Sequence, residues 1–302
     1  MHERAPPAMS GHARREERAG WWLAAPVAVL VVVLLILPTL AMLALSLTDL
    51  DLGDPDWHFT GLTNYIGLLS DRTFRISVGN TAFYVLLVTP ISVGLGLGAA
   101  LLIEAADDFK PLFRSAYFLP VVSLIVAMAT VWQYLMHPTI GPINLLLNRI
   151  GLPSVNFLGS SDVVLYGLAI IGIWQATGFA MVLFLAGLGA IDPQLYQATE
   201  IDGAKSWVDR FRLVTWPILA PTTLFVTTIT MINAVKVFET VTTLTQGGPS
   251  KASEVLLWTI YEEGFVYLHL GNASAMAVVF VVVLLALIVL QTRVLDKRIH
   301  YG

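Results

Sequence analysis

The chain contains no cysteine, which excludes disulfides, thiolate metal sites and a cysteine nucleophile and leaves the redox compartment undetermined. Charge is sparse too. Only 13% of the 302 residues are Asp, Glu, Lys or Arg, where a soluble domain carries about a quarter. The histidines His2, His12, His58, His137, His269 and His300 are scattered through tails and loops without the H-E-x-x-H spacing that aligns two imidazoles on a helix face, so no metal site is expected. No lysine follows a glycine, so the phosphate-cradling G-x-x-x-x-G-K-[ST] loop is missing. There is no G-x-S-x-G elbow and no inward-facing carboxylate pair, so no catalytic residue is assigned and enzyme chemistry in this polypeptide is not expected. No internal repeat of 20 to 50 residues and no soluble linker divides the chain, and it carries no nucleic-acid footprint.

What the chain has instead is apolar length. Hydrophobic residues make up 56% of it, and the mean hydropathy is +0.75. The apolar runs are continuous rather than alternating, which selects helices over a lipid-exposed barrel. Crossing the hydrocarbon core takes about 20 such residues, and windows of that kind lie near residues 21–47, 78–103, 115–135, 163–189, 217–241 and 273–291. An all-α membrane protein with six transmembrane helices is therefore expected. The first run exceeds a signal-peptide h-region of about 7 to 15 residues, and no small-residue cleavage pattern follows it. The expected domains are a flexible tail at 1–20, one transmembrane domain at 21–293 and a short tail at 294–302.

Sidedness follows from the basic residues, which are retained in the cytoplasm. Arg4, Arg14, Arg15, Arg18, Lys110, Arg114, Lys205, Arg210, Arg212, Arg293, Lys297 and Arg298 fall on one side of a six-span topology, against Arg72, Arg75, Arg149 and Lys251 on the other. This places both termini and the loop between the fourth and fifth spans in the cytoplasm. The outer loops instead carry Asp49, Asp51, Asp54 and Asp56. One of them holds Trp57, Phe59 and Tyr65, aromatics suited either to the membrane interface or to a partner. Another holds a two-turn helix over 143–150, bounded by Pro142 and Gly151 and expected along the outer surface.

The cytoplasmic loop, about 190–216, is the most informative segment. Asp192-Pro193 supplies an N-cap and a first-turn proline. The helix they open should run through Leu195, Tyr196, Gln197, Ala198, Thr199, Glu200 and Ile201 to Asp202 and Gly203, where glycine permits a left-handed stop. Trp207, Phe211 and Val214 then recur at helical spacing on a second short helix expected to end before Pro217. Taken alone, this pattern favours an amphipathic interfacial helix.

The ordered motifs decide between these readings. Gln197-Ala198-Thr199, Gly203 and Val214-Thr215-Trp216-Pro217 resemble the EAA loop of permease subunits of binding-protein-dependent ATP-binding-cassette importers. Phe118-Leu119-Pro120 with Trp132, Gly141-Pro142-Ile143-Asn144, Leu185-Ala186-Gly187-Leu188 and Ile191-Asp192-Pro193 extend the likeness over about 25–298. Val237-Phe238-Glu239, Leu244-Thr245-Gln246-Gly247-Gly248-Pro249 and Gly271-Asn272-Ala273-Ser274-Ala275 are similar to the carbohydrate branch, the subunit related to the maltose and glycerol-phosphate permeases. Gln197 replaces the family's leading glutamate, Thr199 its second alanine, and Trp216-Pro217 its L-P pair.

The resemblance implies a permease half of an ATP-driven importer for a carbohydrate or polyol-like solute in a bacterial or archaeal cytoplasmic membrane. Its implied partners are a second homologous permease, two ATPase subunits and an extracytoplasmic solute-binding protein. ATP and Mg would be bound by the ATPases, and this chain carries no cofactor. Leu195 through Glu200, with Asp202 and Gly203, would form the coupling helix that docks on an ATPase.

For the solute path the residues themselves offer Lys236 and Glu239 in the fifth span, ionisable groups that face a cavity or a partner when held in a membrane. Three positions apart, they can also neutralise each other on one helix face or snorkel to the interface as a structural pair. Asn233 and Thr240 extend that face by a turn each way. Trp174, Gln175 and Thr177 on the fourth span and Trp132, Gln133 and Tyr134 on the third add aromatic planes and amides suited to sugar rings, or alternatively belt residues and interhelical bridges. Gly247-Gly248-Pro249 is a tight outward turn, either plain or facing the binding protein. A secondary transporter, the rival class, would bring mid-membrane broken helices and an internal repeat, and the sequence signals neither.

Overall fold

In the computed structural model, residues 11–54, 56–105, 119–203 and 206–296 are described, without the side chains of 11–20 and 294–296. The expectations placed on Arg4, Arg14, Arg15, Arg18, Lys110, Arg114, Phe118, Lys205, Lys297 and Arg298 therefore lie outside the described residues or side chains. In chain order the elements are α1 (Gly11–Val31), a π-helical turn (Val32–Ile36), α2 (Leu37–Leu45), α3 (Thr63–Ser70), α4 (Arg72–Ala105), α5 (Ile125–Leu135), α6 (Pro142–Arg149) and α7 (Val164–Gly189). Next come α8 (Pro193–Ile201), α9 (Trp207–Arg210), a π-helical turn (Phe211–Thr215), α10 (Trp216–Val235), α11 (Glu239–Leu244), α12 (Leu256–Tyr261), a π-helical turn (Glu262–Val266) and α13 (Leu270–Asp296).

Five helical stretches among the described residues are long and apolar enough to cross a membrane, namely Trp21–Leu45, Arg72–Ala105, Val164–Gly189, Trp207–Leu244 and Leu270–Arg293. The protein is thus an all-α, multi-pass membrane protein. The window at 115–135, expected as one span, is interrupted. Residues 119–122 are helical, Ser123 and Leu124 are not, and α5 begins at Ile125, with Leu124 in extended conformation at φ −68°, ψ 120°. The segment expected as a flexible tail to residue 20 is helical from Gly11. Its Ala, Arg and Glu residues are strong helix formers, and they extend the first span beyond its apolar part.

α4 and α7 pack along much of their length and α10 packs against both, which makes these three the centre. Their contact depends on small side chains, as helix association in lipid generally does. A Cβ added at Gly96 of α4 would lie 2.6 Å from the Ala180 Cβ on α7 and 3.0 Å from the Met181 amide, so only glycine allows this approach. Ala100, Ile103, Met181, Phe184 and Leu219 fill the core beside it. In contrast, no side chain from Trp21 to Leu45 is buried, and α2 meets the rest through α13.

Two corrections concern the segment around the fifth span. The second short helix of the loop does not end before Pro217. α9 runs through the π-helical turn into α10, with the Trp216 amide donating to the Phe211 carbonyl, and Pro217 sits in the first turn of α10. A proline there has no amide to donate, and the widened π-helical turn before it accommodates both the missing bond and the ring. The fifth span itself, expected unbroken over 217–241, stops at Val235 and resumes at Glu239.

Candidate functional site

The second of those breaks opens onto a cavity of ≈ 500 Å³. Gln175 from α7 and Asn233, Lys236, Glu239 and Thr240 from around the break all line it. Val121 and Ile125, which flank the interruption before α5, line it too. Non-helical backbone at membrane depth is tolerated where it borders a cavity rather than lipid, since water or solute can meet the freed peptide groups. Both interruptions satisfy that condition. Broken helices are therefore present where the sequence signalled none: neither break carries a proline or glycine at Ser123–Leu124 or Lys236–Phe238, so no local residue announced it.

The break also undoes the expected i, i+3 pairing. Among the described residues no ion pair joins Lys236 to Glu239, because Phe238 at φ −147°, ψ −56° turns the chain between them. Both side chains are exposed at the cavity wall. Gln133 and Trp174 do not line the cavity; Trp174 instead meets Trp132 edge-to-face at 5.4 Å between ring centroids, as an interhelical bridge. Tyr84, Phe179 and Phe238 supply the aromatic surface instead. Tyr84 lies deep within α4 rather than at an end, and that depth was the available signal, since interface-belt aromatics sit near span ends.

At the other end of α10, α8 forms as its cap dictates, with Asp192 Oδ1 accepting from the Gln194 amide at 2.9 Å. Thr199 Oγ1 donates to the Tyr196 carbonyl at 2.9 Å, and Asp202 follows the last turn. Gly203 closes it at φ 97°, a left-handed conformation costly for other residues. Two contacts fix α8 to the start of the fifth span. Tyr196 Oη and Thr215 Oγ1 are 3.0 Å apart, and Arg210 pairs with Glu200. Leu195, Gln197, Ala198 and Ile201 remain exposed. Ser206 and Asp209 form a reciprocal capping box on α9, and Trp207 stacks on Phe211 at 5.7 Å.

After α11 the chain makes the Gly247-Gly248-Pro249 turn, and there the structure adds residues that the sequence reading passed over. Gly247 has φ 77°. Ser253 Oγ donates to the Gly248 carbonyl at 2.5 Å and lies 2.8 Å from the Thr245 Oγ1 hydroxyl. Asn80 Nδ2 on α4 reaches the carbonyls of Lys251, Ala252 and Glu254 at 3.4, 3.2 and 2.8 Å, and Thr81 Oγ1 accepts from the Leu256 amide at 2.9 Å. A comparable clasp holds α6, where the buried Asn144 donates to the His137 and Val155 carbonyls at 3.1 and 2.9 Å and accepts from the Val155 amide at 2.7 Å. Both asparagines, Asn80 on α4 and Asn144 on α6, were visible in the sequence, but their partners lie on other segments.

The chain is 33% identical over 249 residues to the sn-glycerol-3-phosphate transport system permease protein UgpA of Agrobacterium fabrum, covering 81% of this chain and 83% of that one. It is 30% identical over 283 residues to the trehalose/maltose transport system permease protein MalF of Thermococcus litoralis, covering 93% and 94%. It is 31% identical over 274 residues to the osmoprotective compounds uptake permease protein GgtC of a Synechocystis species, covering 89% and 95%. Its fold matches a chain in the crystal structure of a bacterial ABC transporter involved in the import of the acidic polysaccharide alginate, with a TM-score of 0.82, 22% identity and coverage of 95% of this chain and 99% of that one. No protein-family model matches.

Proposed function

Since the chain belongs to the permease subunits of binding-protein-dependent ATP-binding-cassette importers, we propose that its cavity is half of the solute path and that α8 couples it to an ATPase. As a member of that family it is a multi-pass protein of the bacterial or archaeal inner membrane, the permease half of an ATP-driven importer for a sugar-like solute, and a transport subunit rather than an enzyme. Importers of this kind generally combine a paired permease, ATPase subunits and a solute-binding protein. For this chain those partners, six membrane crossings, and cytoplasmic termini and α8 form one reading, supported by the distribution of Lys and Arg.

The observation that carries the solute-path reading is the convergence of Gln175, Asn233, Lys236, Glu239 and Thr240 on one cavity where two helices are interrupted. Amide, hydroxyl and charged groups there meet Tyr84, Phe179 and Phe238, a combination of hydrogen-bonding groups and aromatic faces that suits a hydroxyl-rich carbohydrate or polyol. Lys236 would also tolerate an anionic substituent. α8 offers an apolar surface of Leu195 and Ile201 with Glu200 and Asp202 beside it. Tyr196 and the Glu200–Arg210 pair tie it to the start of the fifth span, so a push on α8 is passed to α10. Coupling then needs two arrangements of the spans, each favoured by one partner state.

The test begins with copurification of the chain from native membranes. An ATPase pair, a second permease and solute-stimulated ATP hydrolysis are expected. In the reconstituted complex, Asn233→Ala and Lys236→Met should alter the solute concentration dependence of uptake while assembly and basal ATP hydrolysis persist. Unchanged uptake in both variants would sink the path assignment. Broken helices also occur in ion-driven carriers, and uptake that stops when an ion gradient is collapsed in the presence of ATP would favour that rival.

A further inference from the structure

Beneath the Gly247 turn, outside the membrane-spanning stretches, lies a carboxyl group that the transport reading does not use. The Glu254 side chain is wholly enclosed. Its Oε1 accepts from Thr259 Oγ1 at 3.1 Å. Its Oε2 lies directly under the turn, where a Cβ added to Gly247 would fall 2.5 Å from it and 2.8 Å from the Trp258 Nε1. That indole nitrogen is buried without a hydrogen-bond partner. Glu262, two helical turns further on, places its own carboxyl within hydrogen-bonding reach of Glu254. Two carboxylates are both acceptors and cannot hydrogen-bond each other, so the contact requires a proton on one of them.

We propose that Glu254 and Glu262 form a proton-binding pair that holds the 246–256 turn against α4, and that loss of the proton loosens this end of the permease. That this end faces outward rests on the topology proposed above; the proton site itself does not. The pair sits at a junction. Asn80 and Thr81 of α4 hold the backbone on either side of Glu254. Trp258 lies between the pair and Phe238, their rings 6.2 Å apart at the centroids, and Phe238 lines the cavity. A displacement of α12 would therefore be felt at the cavity wall.

The charged groups facing Glu254 are Glu262 and Lys251. Lys251 is already engaged, its Nζ donating to Thr73 Oγ1 of α4 at 2.7 Å. α4 otherwise presents the neutral Asn80 and Thr81, and the turn presents Gly247. Burial foremost, then the hydrogen bond and charge of Glu262, push the Glu254 carboxyl from 4.5 up to about 7, against the smaller opposing pull of Thr259 and Lys251. The folded state thus holds the proton more tightly than the unfolded chain. Its contribution to closure is complete below about 4.5, declines as pH rises, and is lost once pH passes about 7.

The experiment uses the complex purified with its partner subunits, in detergent, where pH is uniform and orientation does not enter. Infrared titration should show a protonated-carboxyl stretch that disappears near neutral pH in the wild type. It should be absent in Glu254→Gln, and Glu262→Gln should move it to lower pH by about one unit, because the neighbouring anion is gone. A nitroxide at Ser250→Cys, in a chain with no other cysteine, should gain mobility above neutral pH, and that step should vanish when Glu254→Gln is added. A wild-type complex without such a stretch, a stretch retained in Glu254→Gln, or a nitroxide indifferent to pH would each overturn the proposal. Should Glu254→Gln fail to assemble, an unshifted titration in Glu262→Gln would overturn it equally.

Discussion

The two ends of the fifth span are built on opposite principles. Before α10, the α8–α9 knob leaves Leu195, Ile201 and Trp207 exposed at 44%, 87% and 65%, and α8 is tied to the start of the span by the Tyr196–Thr215 contact and the Glu200–Arg210 pair. After α11, the 246–256 turn is bound by Asn80, Thr81, Ser253 and Lys251 to itself and to α4. The contrast identifies the unfinished surface. A turn whose polar groups are satisfied within the chain has its geometry fixed before any partner arrives. A knob with bare apolar side chains at its tip is the surface on which the proposed ATPase contact falls.

Substitutions can probe each end. Asn80→Ala should have the largest effect on stability. It removes the two N–H donors shared among three carbonyls and leaves those carbonyls underpaired, at a cost of about 2–4 kcal/mol where each unmatched group costs about 1–3 kcal/mol, and the thermal transition of the complex should fall. Gly247→Ala should cost about 2 kcal/mol, combining the left-handed backbone penalty with displacement of the Glu254 carboxyl, and it should be read in the same melt. Gly203→Asp should cost only about 1 kcal/mol for its backbone, since a Cβ there meets nothing within 4 Å. Uptake and solute-stimulated ATP hydrolysis should nonetheless fall while the subunit still inserts, and wild-type uptake in that variant would refute the coupling role of α8. Glu200→Gln should change stability by no more than about 1 kcal/mol, as exposed ion pairs do. A larger loss would mean that the knob is held together as tightly as the turn.

Much of this was legible in advance because membrane crossing is a property of runs. Arg72–Ala105 and Leu270–Asp296 cover the apolar windows at 78–103 and 273–291, overrunning them where polar residues such as Arg72 and Asn272 continue the helix, and Val164–Gly189 matches the window at 163–189 to within one residue. The caps of α8, Asp192 and Gly203, were readable because capping is local chemistry between neighbours. The cavity was half legible. Gln175, Asn233, Lys236, Glu239 and Thr240 stood out as polar groups in apolar spans, whereas Gln133 and Trp174 stood out equally and lie elsewhere.

The order of residues alone was enough to establish an all-helical, multi-pass membrane protein and, through the ordered motifs, the importer family to which the chain belongs. Hydrophobic length, capping and motif order are written in consecutive residues. It took the folded chain to show that two spans are interrupted, that Lys236 and Glu239 are not paired, and that Asn80 reaches 171 to 174 residues along the chain to clasp the turn. Those outcomes depend on what lies across a helix interface. A peptide group can leave its helix only where a cavity receives it, and burial first, then a neighbouring carboxyl, favours the protonated form of Glu254.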